Sequence, residues 1–103
     1  MAGGCANANP VGPYWTASPL IVPDAATVGL GASQTFRVQN APVVQFRLSA
    51  DQQDWSGCVA IDPEFNEANG IRLLALHRCR GPVYVSATLG EQRSPLVAVF
   101  SVE

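Results

Sequence analysis

Residues 81–102 confine the chain more tightly than any other stretch. Val83, Val85, Ala87 and Leu89 fall on one parity and Tyr84, Ser86 and Thr88 on the other. That is the period-two pattern of a strand with one face buried. A short polar turn follows, and a second strand places Leu96, Ala98, Phe100 and Val102 on one face but Val97 and Val99 on the opposite one. Two such strands in succession predict the closing hairpin of a small all-β sandwich. A terminal strand that is apolar on both faces needs a cover, which makes Val97 and Val99 candidate partner-binding residues.

The rest of the chain agrees with an all-β reading. Pro19-Leu20-Ile21-Val22-Pro23 is a short strand bracketed by prolines; proline cannot donate to a ladder, so this strand belongs on an edge. Residues 26–31 continue it, with glycines at 29 and 31 marking a kink of the kind that lets one strand switch between sheets. Residues 33–39 alternate with Phe36 and Val38 inward, and residues 43–48 alternate again with Val44, Phe46 and Leu48 inward. Residues 58–61 form a brief strand, Asn69-Gly70 a turn, and residues 71–77 a further strand. The count is about seven short strands.

At 103 residues the chain supports one domain around one core. We divide it into an extended N-terminal arm, residues 1–18, and a sandwich domain, residues 19–103. In the arm, Pro10, Gly12 and Pro13 prevent a helix. Tyr14 and Trp15 either fold back to plug one end of the sandwich or anchor the arm on a partner, since such residues dominate interface energetics.

Only 14% of residues are charged and the net charge is −2, which leaves no basic footprint for nucleic acid or anionic lipid. All six basic residues are arginine, which excludes lysine Schiff-base chemistry. No run reaches the roughly 20 apolar residues of a membrane helix. Met1-Ala2-Gly3-Gly4-Cys5 lacks the charged and apolar regions of a signal peptide. Either the chain is cytosolic or its leader has been removed.

The order of elements resembles the bacterial immunoglobulin-like domains of the group-two type, found in adhesins, surface proteins and phage virion proteins. The resemblance rests on several stretches from Pro19 onward. Val28-Gly29-Leu30-Gly31-Ala32-Ser33-Gln34-Thr35-Phe36-Arg37-Val38 is similar to that family's glycine-marked strand entry. Phe46-Arg47-Leu48-Ser49-Ala50 stands where the family usually has a Trp-x-Ser strand, with Phe46 in place of the tryptophan. Asn69-Gly70-Ile71-Arg72-Leu73 and Gly81-Pro82-Val83-Tyr84-Val85-Ser86-Ala87-Thr88 match its turn glycine and penultimate strand. The resemblance implies an immunoglobulin-like β-sandwich acting as a spacer or binding surface, and it carries over no catalytic residue. The family has no requirement for the Cys58/Cys79 pair.

Cys58 and Cys79 flank the strand at 71–77, close enough for a disulfide across neighbouring strands. Two free buried thiols are the alternative. A metal site built from Cys58, His77 and Cys79 lacks the four tightly spaced ligands that zinc prefers. Cys5 is left over; Gly3-Gly4-Cys5 reads either as an exposed thiol or as the remnant of a lipoprotein cleavage site with Cys5 lipidated. The single histidine and the isolated Ser56-Gly57 provide no activated nucleophile. The acids at 51, 54, 62, 64 and 67 match no calcium loop. The expectation is therefore a non-enzymatic module with no cofactor. Its partner is a protein: a capsid, tail or other assembly subunit, or sister copies of the same chain, contacted through Tyr14, Trp15, Val97 and Val99, so that the chain forms a homo-oligomer or stands in multiple copies on a particle. That reading places it on a phage virion as a decoration or tail-associated component. The alternative is a secreted or lipid-anchored bacterial surface or periplasmic domain that binds protein or glycan.

Overall fold

A computed structural model describes residues 18–90 and 93–103. Cys5, Tyr14 and Trp15 lie outside the described residues. The described residues form eight strands: β1 (Leu20–Val22), β2 (Ala25–Val28), β3 (Ser33–Gln39), β4 (Gln45–Ala50), β5 (Val59–Ile61), β6 (Gly70–Ala75), β7 (Val83–Thr88) and β8 (Leu96–Val102). Among the described residues a 3₁₀ turn at Trp55–Gly57 is capped by Asp54, whose carboxylate accepts from the Ser56 N–H. One sheet has the order β1-β3-β6-β5 and the other β2-β8-β7-β4. All pairings are antiparallel except β2 with β8, which run parallel from Ala25 beside Val99 to Val28 beside Val102.

The sheets meet through the residues that alternation turns inward. Phe36 of β3 and Phe100 of β8 are fully buried and pack edge to face, ring centroids 6.0 Å apart at 82°, a geometry that sets the positive ring edge against the negative face. Leu73, Val59, Val83 and Val85 complete the centre, and no polar or charged side chain among the described residues is buried. Phe46 does not occupy a core centre; it is half-buried at the margin, on the edge strand β4.

Three local expectations are corrected. Val44 is 70% exposed, because β4 begins one residue later and the Val44 N–H is spent on the Thr88 carbonyl at the rim. The switch between sheets falls at Pro23-Asp24, between β1 and β2, and not at the glycines. Gly31 instead takes a left-handed φ of 82° in the turn into β3, which glycine adopts without steric cost. The strand containing Ile71 ends at Ala75, so Leu76 and His77 are exposed beyond it.

The register fixes two poles. Leu20 sits opposite Gln39 and Gln45 opposite Thr88, so the N-terminal entry shares one pole with residues 40–44, 62–69, 89–90 and 93–95. The C-terminal strand ends alongside Val28 at the other pole, with residues 29–32, 51–58 and 76–82. Cys58 and Cys79 are joined by a disulfide at this second pole, across a sequence separation of 21. The Cys58 carbonyl accepts from the Leu76 and His77 N–H groups beside it.

Replacing both cysteines by alanine is expected to lower unfolding free energy by about 3 kcal/mol through loop-closure entropy, read from urea midpoints with and without reductant. Phe100→Ala, which empties the inter-sheet contact, is expected to cost about 3–5 kcal/mol.

Candidate functional site

The outer face of the β2-β8-β7-β4 sheet carries the side chains that alternation turns away from the core. The register sets them in rows: Ala25, Val99, Tyr84 and Ser49 in one, Val97, Ser86 and Arg47 in the next. Arg47 is the only charged side chain at the outward positions of these four strands. Val97 is 51% exposed and Val99 half-buried, flanked by Ala25 and Tyr84. An apolar centre within small hydroxylic neighbours, depleted of charge, has the composition of an interface core. At one end of the row the Tyr84 hydroxyl donates to Asp51 Oδ2 at 3.0 Å. This hydrogen bond, then the nearby negative charge, pushes the Tyr84 phenol above its ordinary range.

The doubly apolar strand is not at the sheet edge. β8 lies between β2 and β7, which explains its apolar character in part: a strand flanked on both sides exposes less of each side chain. Its first residues are different. The Val99 N–H donates to the Asp24 carbonyl and the Glu103 N–H to the Val28 carbonyl, so odd-numbered residues of β8 turn their backbone groups toward β2. By the same alternation Val97 points its N–H and C=O in that direction, where β2 has not yet begun. Here the chain crosses between sheets and leaves an open groove of about 450 Å³, walled by Pro19, Leu20, Val22, Pro23, Leu96 and Val97. The groove and the outer face share Val97. Tyr14 and Trp15 fall outside the described residues, so the four candidate partner-binding residues are not seen together.

The opposite sheet presents a cluster that residue patterns did not announce. Phe65, from the loop between β5 and β6, lies against β3 and β6 with the Arg72 guanidinium 4.7 Å and that of Arg37 5.7 Å from its ring centroid. Arg37 donates bidentately to Glu67, 2.9 and 3.0 Å. Arg72 donates to Thr35 Oγ1 at 3.1 Å and lies 3.7 Å from Asp62. A Cβ at Gly70 would sit 3.0 Å from the Phe65 ring, so that turn glycine is required for close approach. Asn69 accepts from the Val43 N–H and donates to the Ala41 carbonyl, bracing the neighbouring loop. The signal for this cluster was the pair of arginines at outward positions of adjacent strands with an aromatic between acids in the following loop. Arginine stacked on an aromatic and held by carboxylates is a latch for that loop, its guanidinium groups already committed.

The two acidic loops are separated: residues 51–55 lie at one pole and 62–69 at the other. Among the described residues no group of three His, Cys, Asp or Glu side chains converges on a point that would hold a metal. No helix among them is long and apolar enough to cross a membrane.

A β1-β3-β6-β5 sheet facing β4-β7-β8, with a first strand divided between the two, is the arrangement of an immunoglobulin-like sandwich. The disulfide departs from it, joining loops at one pole instead of pinning the two sheets at their centres. Among solved structures, the chain is similar to the crystal structure of the S-layer protein rSbsC(31-844), with TM-score 0.54 and 13% identity. The match covers 94% of this chain and 14% of that one. It is also similar to domains 4 and 5 of the S-layer protein SbsC, TM-score 0.54 and 14% identity, covering 93% of this chain and 54% of that one. The chain thus spans well under two thirds of either structure, and the likeness is one of fold. No family model matches the sequence, and a search of the curated proteins returned no match.

Glu67→Gln is expected to free the Phe65 loop while leaving the unfolding midpoint unchanged. Arg37, by its hydrogen bond, holds the Glu67 carboxyl below the usual range. The ion pair therefore contributes fully above the ordinary glutamate pKa and is lost as pH falls through the depressed one. Protection of the Phe65 and Gly70 amides, taken as exchange relative to the intrinsic rate at the same pH, should fall at acid pH in the wild type and be low already at neutral pH in the variant.

Proposed function

We propose that this chain is a non-enzymatic immunoglobulin-like module of the bacterial group-two type that builds an exterior protein assembly. It docks through its N-terminal arm and the outward side of its last strand. The observation that supports this reading is the pair of outward valines on β8, Val97 and Val99, continuous with the open groove where the arm enters. The arginines of the opposite sheet are already paired, whereas this face and the adjoining groove place the exposed Leu20, Val22 and Val97 side by side.

The module belongs to an exported assembly on a bacterial surface. Closed disulfides persist in oxidising compartments and are rare in the cytosol, and Cys58 and Cys79 are joined. A phage virion component, assembled in a reducing cytosol, would carry this pair as thiols until release; that is the second reading. Lipidation at Cys5 would tether the exported form.

Two measurements test the proposal. A chain starting at Ser18 should fold with the full chain's melting temperature yet fail to join its assembly; loss of folding would overturn the division between arm and domain. The intact mass of natively produced protein should fall short by the hydrogens of one disulfide, or carry a diacylglyceryl group on Cys5. The full mass of an unmodified chain with three alkylatable thiols would overturn the exported placement in favour of the virion.

A further inference from the structure

We infer that the groove beside Val97 is the receiving site for the N-terminal arm of a second copy of this chain, bound as an added β-strand. The inference rests on the docking role proposed above and names the occupant. Three features of the molecule carry it.

The first is the backbone. Val97 turns an N–H and a C=O to the side of β8 where β2 does not reach, with no backbone partner among the described residues, and these are the groups that an incoming strand satisfies. Around them stand Leu20 at 41%, Val22 at 39% and Val97 at 51% exposure, an apolar wall to the groove. Asp24 is the only charged residue on the groove's lining.

The second is the arm's composition. Residues 1–18 contain no charged residue and no histidine, so a strand drawn from them enters the groove without desolvating a charge. Tyr14 and Trp15 supply large apolar side chains at low conformational cost.

The third is direction, which selects a second copy over the arm's own groove. The Ser18 carbonyl accepts from Asn40 Nδ2 at 3.0 Å, on the side of β1 where β3 lies. Asn40 holds a left-handed φ of 70°, fixing that corner. The chain therefore leaves Pro19 along the line of β1 and β3, out of the pole and away from β8. An arm continuing that line carries Trp15 about 13 Å beyond Pro19, at roughly 3.3 Å per residue. Returning it to its own Val97 would require a reversal within residues 16–18.

An arm reaching from one copy into the next makes a heterologous contact, which propagates into rings or filaments unless two copies exchange arms reciprocally. The test compares the full chain, a chain starting at Ser18, and Val97→Lys, which places a charge on the open edge. Sedimentation velocity over a concentration series should show self-association for the full chain alone, with identical melting temperatures for all three. A fluorescein-labelled peptide of residues 8–18 should bind the chain starting at Ser18 and lose at least tenfold in affinity when that chain carries Val97→Lys. A full chain that stays monomeric with Trp15 protected from acrylamide quenching would overturn the inference in favour of the arm's own groove. A monomeric full chain with Trp15 exposed, or association that survives arm removal, would overturn it as well. Arm-dependent recruitment to a carrier without self-association would overturn the second copy as occupant while leaving the docking reading intact.

Discussion

The structure depends on a core only two side chains thick, in which one layer from each sheet meets at Phe36 and Phe100. So thin a core leaves no second shell where a polar group would find partners, and an unpaired buried polar group costs on the order of 1–3 kcal/mol. Every inward position except Gln34, near the start of β3, is accordingly apolar, and each strand segment that crosses the core must alternate. The polar inventory is driven to the two outer faces and the two poles. Whatever the molecule recognises, it recognises there.

Dividing the first strand between sheets has consequences at both edges. β1 extends one sheet beside β3, and β2 continues in the other, parallel to β8. The three-residue β1 and four-residue β2 are too short to cover the full length of their neighbours. Prolines at 19 and 23 bracket β1 and keep it from lengthening. The gap left at the crossing is the groove beside Val97. The same division turns β8 into an inner strand along its C-terminal part and an open edge at its start. Its apolar outward residues reflect both conditions: Val99 is shielded by Ala25 and Tyr84, whereas Val97 has Ser86 on one side only.

Parity was legible in the sequence because it is local. Phe36, Val38, Val83, Val85, Ala98 and Phe100 all face the core as their alternation required. Neighbourhood was not legible, since a strand's pattern states which face is buried and says nothing about which strand lies beside it. That is why β8 read as a terminal strand needing a cover, and why the glycines at 29 and 31 drew the sheet switch that Pro23-Asp24 performs. Val44 misled because its parity is right but its position is past the end of the ladder. The latch of Phe65 on Arg37 and Arg72 was hidden for another reason. It joins two strands and a loop across separations of up to 37 residues, and each residue taken alone has an ordinary surface explanation. On the outer face, Val97 and Val99 were legible from apolar parity, while Tyr84 and Asp51 became a pair only once the turn at residue 51 was placed.

The division of labour between the poles bears on how strong docking must be. The disulfide and the capped 3₁₀ turn lie at the pole where the chain ends, and the groove and the arm's point of entry at the other. Covalent bracing is thus remote from the surface proposed for docking. Burying one large aromatic in the groove contributes about 4–6 kcal/mol, and each backbone hydrogen bond about 0.5–1.5 kcal/mol more. Lost translational and rotational freedom costs roughly 4–15 kcal/mol. A single arm in a single groove is therefore a weak contact, reversible on its own. Repeated along an array, each further contact becomes intramolecular and avidity rises by about 10²–10⁴ without any new chemistry. A short uncharged arm and a shallow open groove suit a subunit whose attachment is meant to be weak singly and firm collectively.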